Sequence, residues 1–93
     1  MARYVTLIRF TDQGARNLKR SPARALAFRK AAEKAGLTVE AQLWTIGACD
    51  GVLILSGDER KIFRSLTQLA ALGNTRTETL QAFDATEFQA VVG

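Results

Sequence analysis

The stretch Gly-Asn-Thr-Arg-Thr-Glu-Thr, residues 73–79, joins a helical pattern to a threonine-rich strand pattern. Before it, apolar residues recur at helical spacing from about residue 59 to residue 72, and Gly73 predicts the left-handed residue that ends such a helix. After it, alternating threonines predict a strand over residues 74–83. This junction gives a reference point from which the other elements are placed.

The remaining segments alternate between strand and helix patterns. The predicted elements are strands over residues 3–10, 37–46 and 52–55, helices over residues 15–19, 22–35 and 59–72, and a terminal helix beginning at the capping pair Asp84 and Glu87. Residues 11–14 predict a turn, and Ser21 is the predicted N-cap of the helix over residues 22–35. The resulting βαββαβ order predicts an α+β, ferredoxin-like arrangement, in which two helices cover one face of a four-stranded antiparallel sheet. We expect one domain over residues 1–93.

Apolar residues are predicted on both faces of this sheet. Val5, Leu7 and the run 52–55 place apolar side chains on the face without helices, as does either Leu43 or Trp44. A bare apolar sheet face is typical of an association surface. We therefore expect a homo-oligomer built on a dimer in which two sheets meet face to face, as in a dimeric α/β barrel.

Composition excludes several classes of function. The chain has no histidine and a single cysteine, Cys49, so histidine-based catalysis and transition-metal sites are not expected. Its nine acidic residues are scattered, which argues against a magnesium site. We predict no metal and no cofactor. No uninterrupted apolar run, that of residues 52–55 included, exceeds four residues, which is far too short to cross a membrane. No secretory leader is recognised, so the expected location is the cytoplasm.

Positive charge is concentrated in the first third of the chain. Residues 1–34 hold nine Lys and Arg against two acids, whereas residues 35–93 hold four against seven. The basic residues from Arg16 to Lys34 fall in or beside one helix, where they form either a solvated face or a nucleic-acid surface. Base-stacking aromatic residues are not interleaved with them, so nucleic-acid binding ranks third among the candidate functions.

Four segments, residues 11–14, 21–24, 47–50 and 73–79, together carry a likeness to one family. Residues 73–79 are similar to the pattern Gly-Asn-x-Arg-Thr-x-Thr, and residues 47–50 stand where the family has Gly-x-Tyr-Asp. Over almost its whole length the chain resembles the GYD domain family, small bacterial and archaeal proteins of largely uncharacterised function. The resemblance implies the fold more than a reaction. Cys49 stands in place of the pattern's tyrosine, so no phenol-based role is carried over.

Six residues are candidate ligand contacts, and each has a structural alternative. Asp50 is a general base or a turn cap, and Arg76 is an anion-binding group or the partner of Glu78 or Asp50. The side chain of Asn74 hydrogen-bonds either a ligand or nearby backbone groups. The other three, which line a pocket or serve packing and strand formation, are Trp44, Tyr4 and Thr77.

Two classes of function remain ahead of nucleic-acid binding. The first is a small binding or regulatory module whose ligand, a small anion, meets Arg76, Asn74 and Asp50 near the ends of the central strands. The second is a cofactor-independent enzyme of the dimeric α/β-barrel type, monooxygenase- or isomerase-like. In that enzyme Asp50 is the base, Arg76 stabilises an anion, and Trp44 and Tyr4 form the pocket walls. A pocket containing both Asp50 and Arg76 is the feature that would support either.

Overall fold

The computed structural model describes residues 2–93; Met1, where the predicted domain begins, lies outside them. The described part forms a four-stranded sheet with helices between its strands. Its elements are β1 Ala2–Phe10, α1 Asp12–Arg16, a 3₁₀ turn Leu18–Arg20, α2 Ser21–Lys34, β2 Thr38–Trp44, β3 Gly51–Gly57, α3 Glu59–Ala71, β4 Thr75–Gln81 and α4 Ala85–Val92. Within this part of the chain, no helix is long and apolar enough to cross a bilayer.

The sheet is antiparallel throughout and has the strand order β2-β3-β1-β4. The two long helices, α2 and α3, contact the sheet and each other. This α+β architecture is compatible with the predicted ferredoxin-like arrangement. β1 and β3 are the central strands, and each is hydrogen-bonded to a neighbour along both of its edges.

Strand register separates the helix-covered face of the sheet from the open face. Tyr4 lies opposite Leu55, and Thr6 lies opposite Leu53. These four side chains are buried beneath the helices. The intervening residues of β1 and β3 point to the opposite, open face of the sheet. The core members are Tyr4, Ala32, Leu37, Val39, Leu53, Leu55, Ile62 and Leu66.

A bulge in β2 corrects the predicted division of its side chains. Simple alternation predicts Val39 and Leu43 on one face, but the register shifts between Val39 and Ala41. The extra residue moves Ala41 and Leu43 to the open face and leaves Val39 in the core. Trp44 consequently lies on the helix-covered side, so Leu43 supplies the apolar side chain on the open face.

The segment after β1 also differs from its prediction. The sequence predicts a turn over residues 11–14 before a helix over residues 15–19, but α1 begins at Asp12, with Thr11 as its N-cap accepting a bond from the Gly14 amide. Ser21, predicted as the N-cap of α2, is instead its first helical residue, and its hydroxyl is used elsewhere. The hydroxyls of Thr11 and Ser21 both make their hydrogen bonds near the end of the sheet where β1 ends.

The helix ends predicted from the sequence are confirmed at two positions. Gly73 has a φ of 80° and ends α3 in the left-handed conformation. Asp84 and Glu87 form the reciprocal capping box of α4. Glu87 also accepts a bond from Arg3, which joins α4 to the beginning of β1. Glu40 and Glu87 hydrogen-bond the Arg3 guanidinium, and these bonds raise the pKa of Arg3.

Candidate functional site

A cavity of about 90 Å³ lies between the sheet and the helices α2 and α3, at the end of the sheet where β1 ends and β4 begins. Most of its lining is apolar, and a few polar groups converge on it. A mostly apolar cavity with a small number of polar groups is the usual form of a small-molecule site. Its principal side chains are Ile8, Phe10, Ser21, Arg24, Phe28, Gln42, Trp44, Asp50, Leu53, Leu69, Leu72, Asn74 and Thr75.

Two polar atoms at this cavity are buried and have no hydrogen-bond partner among the described residues. They are Nη2 of Arg24 and Oγ1 of Thr75. The other terminal nitrogen of Arg24, Nη1, donates to the carbonyl of Asn17 over 2.9 Å, which holds the guanidinium in place. Buried polar groups in proteins are nearly always paired, with protein, water or ligand, so these two atoms mark the place in the cavity where a water molecule or a ligand would be hydrogen-bonded.

Asp50 lies at the mouth of the same cavity and fastens a loop to the central strand. Its Oδ2 accepts a 2.9 Å hydrogen bond from the amide of Phe10, and its own amide donates to the carbonyl of Ile8 over 2.7 Å. The side chain thus caps the end of β1 and not its own turn. This contact differs from the local turn cap suggested by the sequence, and the general-base interpretation stays a prediction.

Asn74 is held by hydrogen bonds from α1 and its N-cap, a segment far from Asn74 in the sequence. Its side-chain oxygen accepts a 2.9 Å bond from Nε2 of Gln13, and its carbonyl accepts a 3.1 Å bond from the amide of Thr11. Thr11 also donates through its hydroxyl to the carbonyl of Gly73. The turn between α3 and β4 is therefore fixed by α1 and its N-cap, which positions the neighbouring Thr75.

Trp44 forms one wall of the cavity and is anchored to α2. Its indole Nε1 donates a 3.0 Å bond to the hydroxyl of Ser21. The indole remains half exposed, because Trp44 and Ser21 also border an adjoining surface groove near Pro22 and Leu18. The pair thus lies between the cavity and the groove, and the groove offers a path from solvent.

The loop that carries Cys49 is braced from three directions. Arg9 donates through Nε to the carbonyl of Ala48, Thr45 donates to the carbonyl of Cys49 over 2.7 Å, and Asp50 binds the end of β1. The thiol of Cys49 lies 3.5 Å from the Thr45 hydroxyl and is half buried. It packs in the loop and does not line the cavity.

The structure brings together three of the six candidate residues. Asp50, Asn74 and Trp44 line the cavity. Arg76 lies on the open face, directly across from Arg9 in the neighbouring strand. Arg76 and Asp50 therefore lie on opposite sides of the sheet, and no ion pair between them, or between Arg76 and Glu78, forms within residues 2–93.

The other two candidates also lie away from the cavity. Tyr4 is buried in the core, where its hydroxyl donates a 2.5 Å bond to Glu59 and its ring packs 5.3 Å from that of Phe63. The hydrogen bond to Glu59, and secondly burial, raise the pKa of Tyr4. Thr77 is exposed and pairs with Ile8. Neither contributes a wall to the cavity.

Four polar residues at the cavity are not among the six sequence candidates: Ser21, Arg24, Thr75, and Gln42, whose side chain donates to the carbonyl of Ala25. The sequence predicts Arg24 as one of the basic residues of its helix and Ser21 as a helix cap. Thr75 is predicted as a strand former, with a pocket beneath the helices as the alternative place for its hydroxyl. Helical spacing contained the missing information, because Ser21, Arg24 and Phe28 recur at intervals of three and four residues. Arg24 thus lies on the stripe that faces the sheet.

Comparison with known proteins agrees with this architecture. The chain belongs to the GYD domain family, whose family model matches residues 4–92. It is similar to the crystal structure of TTHA0845 from Thermus thermophilus, with 27% sequence identity and a TM-score of 0.55, over 91% of this chain and 96% of that one. A search of curated proteins gave no significant match.

Proposed function

We propose that this protein is a small oligomeric binding or regulatory module that takes a small anionic ligand in the cavity beneath α2 and α3. The observation that carries the proposal is the pair of unpartnered buried atoms, Nη2 of Arg24 and Oγ1 of Thr75, at one mostly apolar cavity. An unsatisfied buried polar group costs about 1–3 kcal/mol, and more when it is charged. A ligand that accepts from both atoms removes that cost on binding.

The proposal moves the anion contact from Arg76 to Arg24. Arg76 is exposed to water on the open face, where a single arginine contributes little to the affinity of a small anion. The Nη2 atom of Arg24 is buried, and its charge is therefore less screened. Burial makes Arg24 the stronger determinant of affinity for an anion in this cavity.

The four segments that carry the family resemblance support the same location. Residues 21–24, 47–50 and 73–79 each contribute side chains to the cavity, and residues 11–14 fix the position of Asn74. These segments are far apart in the chain but meet at one end of the sheet. The family pattern therefore coincides with the cavity, apart from Arg76, which faces away.

Ligand binding can be measured directly because Trp44 is the sole tryptophan of the chain and forms part of the cavity wall. We expect small organic and inorganic anions, screened by thermal shift and by Trp44 fluorescence, to include at least one that stabilises the protein. Arg24→Gln should abolish the response. Arg29→Gln, on the same helix but exposed and paired only with Glu33 among the described residues, is the matched control. A response that persists in Arg24→Gln would refute the assignment.

The open face of the sheet supports a second proposal, self-association. Two rows of side chains cross this face in register, and most of their members are apolar and half buried or exposed. The rows are Ala41, Ile54, Val5 and Leu80, followed by Leu43, Val52, Leu7 and Glu78. These rows are proposed to pack against the same rows of a second copy of the chain, in a dimer of the α/β-barrel type.

Charge at the two ends of this face favours a second copy over another partner. Arg9 and Arg76, with Glu78 beside them, give one end a net positive charge. Arg3 with Glu40 and Glu87 gives the other end a net negative charge. A face of this kind complements itself after a two-fold rotation, which is the symmetry of most dimers.

The self-association proposal is tested by placing a charge at the centre of the rows. Val52→Glu should convert a dimer to a monomer in light scattering at micromolar concentration, with circular dichroism unchanged. Leu26→Glu, which replaces an exposed leucine on α2, is the control and should leave the mass unchanged. A wild-type protein that is monomeric at this concentration would contradict the proposal.

A further inference from the structure

We infer that the ligand of this cavity is a monocarboxylate with a compact apolar body, an inference that rests on the proposed anion site. The first argument is the lining. Apart from its few polar groups, the cavity presents hydrocarbon to whatever occupies it. Stripping water from a strongly hydrated inorganic anion against such a surface is costly. The apolar contacts that would instead favour an organic body are Ile8, Phe10, Phe28, Leu53, Leu69 and Leu72.

The second argument is the charge at the cavity. Among its described lining residues, Arg24 is the only cation and Asp50 is the only anion. The two formal charges cancel, so a dianion would bring an excess negative charge near the Asp50 carboxylate. A monoanion leaves the cavity with one net negative charge, whereas a dianion leaves it with two. This balance favours a carboxylate over a doubly charged phosphate or sulfate.

The third argument is the number and type of free donors. Nη2 of Arg24 has two N–H groups and the hydroxyl of Thr75 has one O–H, and a carboxylate has two oxygens to accept from them. Nη1 of Arg24 is already bound to Asn17. The guanidinium thus offers one edge to the ligand, and Thr75 supplies the second donor. Hydrogen bonds to an ionised acceptor are stronger than neutral ones.

The size of the cavity limits the apolar body. At about 90 Å³ it suits a short aliphatic chain or a small ring. The adjoining groove beside Trp44 and Pro22 would accommodate substituents that extend from the far end of the ligand. The inferred class is therefore small aliphatic or aromatic acids, with the carboxylate at Arg24 and Thr75.

The test compares acids with their neutral amides on the full chain. Isovalerate and benzoate are titrated beside isovaleramide, benzamide and inorganic phosphate, with Trp44 fluorescence and calorimetry as readouts. The acid should bind at least about tenfold tighter than its amide, because one charge-assisted bond is worth roughly that factor. Arg24→Gln should remove this preference, and Thr75→Val should weaken acid binding by about tenfold or less while leaving amide binding nearly unchanged.

A double-mutant cycle decides whether both groups hold the same carboxylate. If they do, the effects of Arg24→Gln and Thr75→Val on acid affinity should be non-additive; additive effects would overturn the shared contact. Asp50→Asn should strengthen phosphate binding, since it removes the opposing charge. Variants are compared only after their melting temperatures and circular dichroism match the wild type.

The outcomes separate the two proposals. Phosphate binding that depends on Arg24, with no binding of either acid, would leave the anion site standing and overturn the carboxylate inference. Acids and amides that bind equally would show an apolar pocket and overturn both. Absence of binding by every probe at millimolar concentration would likewise refute both.

Discussion

The carbonyl oxygen of Asn74 occupies the space into which a side chain on Gly14 would project: a Cβ at Gly14 would lie 2.0 Å from it. This contact places α1 directly against the turn that leads into β4. Two segments about sixty residues apart in the sequence are thereby fitted together without space for a methyl group. Thr75, which follows Asn74, depends on this fit for its place at the cavity.

Replacing Gly14 with alanine should destabilise the protein and weaken ligand binding together. The clash is with backbone, so α1 or the Asn74 turn must move, and overpacking of this kind costs about 1–3 kcal/mol. Urea unfolding measures the loss. Ala15→Ser adds an atom to an exposed position of the same helix and should change stability by less than about 0.5 kcal/mol. A Gly14→Ala variant as stable as the wild type would show that the two segments are not tightly fitted.

Several elements of the fold could be predicted because their information is local. Gly73 ends a helix through its own conformational freedom, and Asp84 and Glu87 cap a helix through groups three residues apart. The bulge at β2 is different. An extra residue such as Glu40 is polar on either face, so alternation alone does not reveal which side chains change sides.

The cavity could be predicted only in part, for a related reason. Arg24 and Thr75 are neighbours of one cavity because the order of the strands and the packing of α2 bring distant segments together. A cation among other cations on a helix is indistinguishable by composition from a solvated one. Turns and a lone tryptophan are visible in the sequence, and they identify Asp50, Asn74 and Trp44. The face of the sheet on which Arg76 lies depends on strand pairing, which the sequence alone does not give.

The Trp44–Ser21 hydrogen bond provides a second prediction. Ser21→Ala leaves the indole Nε1 of Trp44 without its acceptor, and we expect a loss of about 1 kcal/mol in the free energy of unfolding. The emission of Trp44 should shift to the red as the ring turns toward solvent. Ser65→Ala, at a buried serine of α3, should not change the emission. Unchanged emission in Ser21→Ala would mean that packing, and not this bond, holds the ring.

The hydrogen bond from Tyr4 to Glu59 predicts a pH dependence. It raises the pKa of Tyr4 above the ordinary value of 10.0, with burial as the second cause. Above pH 10 the unfolded chain releases the tyrosine proton while the folded chain retains it, so the stabilisation is complete below about pH 10 and declines as pH rises through the raised pKa. The stability difference between wild type and Tyr4→Phe should therefore stay nearly constant up to about pH 10 and narrow at higher pH. If denaturant titrations give the same stability difference between the two proteins at every pH, the hydrogen bond to Glu59 is not coupled to the ionisation of Tyr4.

The pairing of Arg76 with Arg9 gives the last prediction. Like charges directly opposite each other on a sheet are destabilising, and opposite charges stabilise by about 0.2–1 kcal/mol. Arg76→Glu should therefore raise the free energy of unfolding, and Arg76→Gln should raise it less. Urea unfolding at low and high salt checks the cause, since screening reduces a surface effect. If Arg76→Glu is less stable than Arg76→Gln, either repulsion from the neighbouring Glu78 or the loss of an acidic group in a second copy outweighs the relief of the Arg9 pair. In the proposed dimer, that group would belong to the negative end of the second copy.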